Sequence, residues 1–192
     1  MSPELGLIIA PRTTYAALVR LPAHASFLLA LRRPLLVAIV LGVSVAISAT
    51  HAVNPLLVAS TTIAWSYVVA LQMAIALPLV AGPSRRTVGL PRALDLFFAG
   101  HAPWSLFALL VAAWGLATST ESIWPIVAAA LLPCALTARI VHAFFREVLA
   151  LDAAAALRRT VTQQALTWAI VVAINWAASA FTPRLIELGR QL

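Results

Sequence analysis

Six side chains in this sequence combine a reactive type with a feasible position: Asp95, His101, Trp104, His142, Arg146 and Glu147. The first three fall in one stretch, residues 91–104 (PRALDLFFAGHAPW), and the last three in another, residues 141–164. Two histidines with two carboxylates offer nitrogen and oxygen ligands of the kind that hold a metal ion. Their spacing fits no compact pattern such as HExxH, so the plainer role is a histidine that donates to a backbone carbonyl. Arg92 and Asp95 are three apart, which on a helix makes them an ion pair. The pair reads as an interfacial salt bridge; the functional alternative has Asp95 and His101 lining a cytoplasmic pocket. His142 and Arg146, with Arg139 on the same helix face, could meet lipid phosphates through the arginine fork. Ordinary anchoring at the membrane surface explains the same stripe.

Other chemistry is excluded more firmly. The chain has no lysine, so a Walker A site is out, and no glycine-rich phosphate loop occurs. No serine stands in a GxSxG context. The single cysteine, Cys134, sits in an apolar run and reads as a small packing residue. Gln72 and Asn175 are amides within apolar stretches, where they serve as interhelical hydrogen-bond glue. No catalytic residue, metal site or cofactor follows from these patterns.

The elements that must position these groups are membrane helices. Hydrophobic residues make up 62% of the 192 and charged residues 10%, with a mean hydropathy of +0.98. Globular chains carry roughly 25% charged residues, and a fold of this size has too little interior to hide so much apolar surface. The expected solvent is the lipid bilayer. The net charge of +7 comes from arginines flanking apolar runs, which argues against a nucleic-acid partner. Using arginine alone for its basic residues, in a chain rich in Ala and Leu, fits a bacterial source.

The expected fold is all-α and polytopic, with five transmembrane helices at about residues 35–51, 56–80, 103–118, 123–140 and 165–182. Residues 1–34, cut by Pro11 and Pro22, are expected as a separate segment of short helices along the membrane surface. One is capped by Thr13 or Thr14; the next, over residues 23–33, ends in Arg32 and Arg33, whose side chains reach toward headgroups. Gly42, Ala46 and Thr50 form a small-residue stripe for close helix contact. Pro133 predicts a bend in the fourth span. Residues 140–164, with no Gly or Pro, read as a helical cytoplasmic connector, and Pro183 is expected to end the last span. Tight outer loops are expected at residues 50–55 and 119–122. No cleavable signal peptide is visible at the start.

Eleven of the thirteen arginines lie in residues 1–34, 81–103 and 139–164, none lies in the two outer loops, and Arg184 and Arg190 are in the tail. The positive-inside rule then puts the N-terminus in the cytoplasm and the C-terminus outside, in a bacterial inner membrane. Residues 91–104 become the cytoplasmic entrance to the third span, an elbow held by Arg92–Asp95 and anchored by Trp104.

APRTTYAAL at residues 10–18, RRPLL at 32–36 and DLFFAGHAPWS at 95–105 resemble the Yip-type membrane proteins, as does the five-span layout. The eukaryotic members work in early secretory traffic and contact Rab-type GTPases; the bacterial ones have no settled function. The DLYGP and GY signatures are absent from this chain, so Rab binding does not carry over. The resemblance implies a non-enzymatic protein that organises membrane or partner proteins through its cytoplasmic face, with a protein partner or a second copy as possible company. In length and hydropathy the chain is also similar to the six-span S-components of vitamin transporters. A sixth span would need Pro11, Pro22 and the Arg32–Arg33 pair inside the membrane. The third alternative is a metal-dependent or lipid-modifying enzyme, which needs Asp95, His101, His142 and Glu147 to converge.

Overall fold

The computed structural model describes residues 2–21, 27–118 and 124–189. Ten helices follow in order: α1 (Pro3–Ile9), α2 (Pro11–Arg20), α3 (Phe27–Ala30), α4 (Arg32–Thr50), α5 (Pro55–Ser84), α6 (Leu90–Ala99), α7 (Ala102–Ala117), α8 (Trp124–Ala129), α9 (Leu131–Glu147) and α10 (Ala153–Gly189). No strand occurs among the described residues. Among the described residues four helical stretches are long and apolar enough to cross a membrane: α4, α5, α6 with α7, and α8 with α9. The chain is therefore all-helical, with the makeup of a membrane-embedded protein. Its surface agrees, since Leu56 and Ile63 on α5 are 80% and 76% exposed, a face suited to lipid and costly in water.

Local chemistry sets most helix ends. Asn54 caps α5 by accepting from the Leu56 and Leu57 amides at 3.0 and 3.3 Å, and Pro55 takes the first helical position, where no N–H is needed. Pro133 has no N–H for the Ala129 carbonyl, and its ring crowds that carbonyl. The regular helix is interrupted at Ala130, between α8 and α9, one turn before that proline. Gly42 lets α4 and α5 meet backbone to backbone. A Cβ there would stand 2.5 Å from the Thr62 Cα, and the Thr61 hydroxyl donates to the Gly42 carbonyl at 2.8 Å. Ala46, one turn on, is fully buried, so Gly42 and Ala46 form a packing seam, while Thr50, the third of the stripe, is exposed.

Several boundaries differ from expectation. Helix α2 starts at Pro11 with Ala10 before it and no side-chain cap; Thr13 instead donates to the Ala10 carbonyl at 3.1 Å. Arg32, Arg33 and Pro34 do not end a surface helix but form the first turn of α4, because proline is well tolerated in a first turn. Helix α5 runs on to Ser84 through Pro78 and Pro83.

The connector is not one helix. It breaks after Glu147, with Ala150 at φ 51°, because Val148 and Leu149 turn into the core and Asp152 caps a new helix by accepting from the Ala155 amide at 2.8 Å. That N–H holds the exposed Asp152 carboxyl below its ordinary value. Helix α10 then passes through Pro183 to Gly189, although a proline there removes one hydrogen bond and crowds the carbonyl four residues back. The expected outer loop at residues 119–122 and the side chains of the tail lie outside the described residues, as do residues 22–26.

Helix α6 is the largest departure. Leu94, Leu96, Phe97 and Phe98 are at most 2% exposed. The stretch expected as a surface elbow is the centre of the core, because its aromatic side chains close a cluster with Tyr15 of α2 and Phe144 of α9.

Candidate functional site: a cavity between the helices

The six residues singled out by type fall into three separate places. Asp95 belongs to a partly buried charge cluster. Its Oδ2 lies 2.6 Å from Arg33 and 3.4 Å from Arg92. Arg33 also reaches Glu4 at 3.3 Å, and Arg92 donates to the Leu18 carbonyl at 3.0 Å. The expected Arg92–Asp95 pair exists, but Arg33 is the closer partner, and it points into the protein and not toward headgroups. Glu147 pairs with Arg12 at 2.8 Å. His142 borders two shallow clefts, one with Arg12 and Arg139 and the other with Leu157 and Trp168. Arg146 lies on the last turn of the same helix, α9.

Only His101 and Trp104 reach an interior cavity. Among the described residues no three of His, Cys, Asp and Glu gather to hold a metal ion. The convergence of Asp95, His101, His142 and Glu147 required by an enzymatic centre is therefore not formed. The break between α6 and α7 turns His101 inward, while Asp95, on α6, faces α4 and the N-terminal segment.

The cavity holds about 190 Å³ and is bounded by α4, α5, α6, α7, α9 and α10. His101 sits at the two-residue junction before α7, 3% exposed. Its ring lies between Phe97 and Phe98, with centroids 5.2 and 5.3 Å away. Nδ1 is 3.3 Å from the Phe97 carbonyl, and Nε2 abuts the side-chain amide of Gln72 on α5. The closer contact is that of Nε2 with the Gln72 carbonyl oxygen, so Nε2–H donates there and the Gln72 N–H₂ keeps both of its hydrogens. Gly100 makes this junction possible: a Cβ there would come within 3.0 Å of Ile140 and 3.1 Å of the Tyr15 hydroxyl.

The opposite wall is α10. There the Trp168 indole N–H donates to Gln164 at 3.3 Å, Gln164 donates to Gln163 at 2.8 Å, and Gln163 donates to Thr167 at 3.3 Å. Gln163 is 1% exposed. Trp168 also packs on Trp104 at 5.2 Å between centroids. Thr137 of α9 completes the lining, 2% exposed, and its hydroxyl has no hydrogen-bond partner among the described residues.

No family, curated protein or solved structure matches the chain. The cavity must therefore be read on its chemistry. It carries no ionisable group except the neutral-capable His101. Its walls are aromatic and its polar atoms are amides and hydroxyls, so it can bind, orient and exclude water, but it assembles no nucleophile with a base. Gln163, Gln164, Thr167, Trp168 and Thr137 were not legible as site residues. Their one sequence signal is the spacing of Thr160, Gln163 and Thr167, a polar stripe at helical intervals leading into an apolar run.

Proposed function

We propose that this protein is a five-span membrane protein that binds a small molecule in the cavity beside His101, as a transport or sensing component and not as an enzyme. The observation that carries the reading is a partly enclosed space of about 190 Å³ between helices, mainly apolar, with Gln72, His101, Thr137, Gln163, Gln164 and Thr167 among its lining residues. A chain evolved only to pack would fill such a space, because an empty cavity forfeits packing contacts and an unpartnered buried hydroxyl such as that of Thr137 costs free energy unless it is used. Helix α10 is the fifth span. Its 37 residues extend roughly 55 Å, enough to cross a bilayer and project beyond it. The arginine distribution supports a cytoplasmic N-terminus, an outer C-terminus and a bacterial inner membrane, with α1 and α2 forming a cap at the cytoplasmic side.

A Yip-like organising role is the second reading. It is favoured by how firmly that cap is stitched on: Arg12 to Glu147, Arg139 to the Ile9 carbonyl and Arg92 to the Leu18 carbonyl. One experiment separates the two. The protein is extracted in mild detergent and examined by native mass spectrometry, beside a Ser105→Phe variant that fills the cavity. Binding predicts a small molecule retained at about one per chain and lost in the variant. A chain that carries only phospholipid, whatever stands at position 105, overturns the binding reading and leaves the organiser.

A further inference from the structure

The spare hydrogen-bonding capacity around the cavity identifies a ligand class. In the α10 chain, the Gln163 and Gln164 carbonyl oxygens accept from Gln164 and Trp168, while each amide nitrogen has spent one of its two N–H groups. Gln72 spends its carbonyl oxygen on the His101 Nε2–H and keeps both N–H groups. Thr137 adds a hydroxyl with no partner among the described residues. Each of the three glutamine carbonyl oxygens thus has a partner, while four of their six amide N–H groups have none among the described residues. None of the lining residues is a carboxylate, an arginine or a lysine, so a charged ligand would be buried without a counterion at a cost of several kcal/mol. The remaining walls are aromatic, with Trp65, Trp104 and Trp168 offering ring faces. An apolar cavity of about 150 Å³ accepts benzene, so one of about 190 Å³ holds one substituted ring.

We infer that the cavity takes the head of an uncharged ring compound bearing carbonyl oxygens, held between tryptophan faces and capped by donor amides and the Thr137 hydroxyl. The inference rests on the binding reading above and adds the ligand chemistry to it. A ring of this kind dissolves in lipid, and its carbonyl oxygens supply acceptors for those N–H groups. Each neutral hydrogen bond so formed adds modestly to affinity, and each donor left unmatched subtracts more.

The test uses two rings of one shape. Duroquinone and durene share a tetramethylated six-membered ring, and only the first carries carbonyls. Binding to the full chain in lipid nanodiscs is measured by calorimetry, with empty nanodiscs as the blank and phenyltrimethylammonium as a cationic control. The expected result is duroquinone bound at least ten-fold more tightly than durene, with the cation weaker than both. Thr137→Val keeps the shape and removes the hydroxyl. It should leave the melting temperature unchanged or raise it, since no bond is lost, yet weaken duroquinone about five- to ten-fold without affecting durene. Gln163→Leu should narrow the preference in the same direction.

Equal binding of the two rings, or a preference for the cation, overturns the carbonyl inference while leaving a binding cavity in place. Binding of none of the three overturns it too, and native mass spectrometry then decides separately whether the cavity retains any molecule. A Thr137→Val variant that binds duroquinone as tightly as the parent removes the hydroxyl from the site.

Discussion

Tyr15 carries more of the architecture than any other single side chain outside the spans. Helix α6 ends at Ala99, and the Gly100 amide turns back to the Phe97 carbonyl at 3.0 Å. The Leu96 carbonyl is met instead by the Tyr15 hydroxyl at 3.1 Å, across 81 positions of sequence. Its ring meets Phe144 edge-on at 5.8 Å. Tyr15→Phe keeps the ring and strands a buried carbonyl, so a loss of about 1–3 kcal/mol is expected in reversible unfolding from mixed micelles. Burial pushes the Tyr15 hydroxyl's pKa well above its ordinary value, with the Arg33 charge opposing in part. The fold therefore keeps a proton that the unfolded chain releases. Stability from this group is complete below the ordinary tyrosine pKa of 10.0 and falls as pH rises past it. The parent should lose stability between about pH 9 and pH 11 more steeply than Tyr15→Phe. Parallel slopes in the two proteins would refute the assignment. Asp95 was legible as half of an ion pair with Arg92, since spacing on one helix shows such pairs. Its nearer partner, Arg33, lies 62 positions away and was not.

At the scale of elements, the seam between α4 and α5 and the open side of α5 make opposite predictions for the same kind of change. Gly42 faces Thr62 so closely that an added Cβ forces backbone apart. Gly42→Ala should cost about 1–3 kcal/mol, as overpacked cores do. Gly82 lies inside α5 with nothing within 4 Å of an added Cβ, so Gly82→Ala should stabilise by about 0.5–1 kcal/mol through helix propensity. Thermal unfolding of the two variants beside the parent checks both signs. The Gly42 stripe was visible in sequence because small residues four apart mark one helix face. The break at residues 148–152 was not visible. Asp152 and a buried Val148–Leu149 pair stop a run that has every local reason to continue as helix, and only packing against the core supplies that reason.

For the whole molecule, several arginines are satisfied within the protein while many large apolar side chains are exposed. Arg12 lies in the N-terminal segment, and Arg33, Arg92 and Arg139 bind Glu4, the Leu18 carbonyl and the Ile9 carbonyl of that segment. With Cys134→Ala as background, single cysteines at Arg86 and Ala52 should report opposite sides in intact cells. A membrane-impermeant maleimide added outside should label position 52 and spare 86 until the membrane is opened. Labelling of both, or the reverse pattern, would overturn the proposed orientation.

Hydropathy and proline placement by themselves determined the all-helical class and the positions of four apolar helices. They could do so because lipid leaves a backbone few ways to satisfy its hydrogen bonds within one segment. Residue type also picked out His101, Trp104 and Gln72. Only the tertiary structure decided that residues 91–104 form a core and not a surface, that Asp95 and His101 part company, and that α10 brings Gln163 and Thr167 opposite His101. Those outcomes depend on which helix faces which, and in a chain apolar on nearly every side that choice is made by close packing between distant segments, which leaves little periodic trace in the sequence.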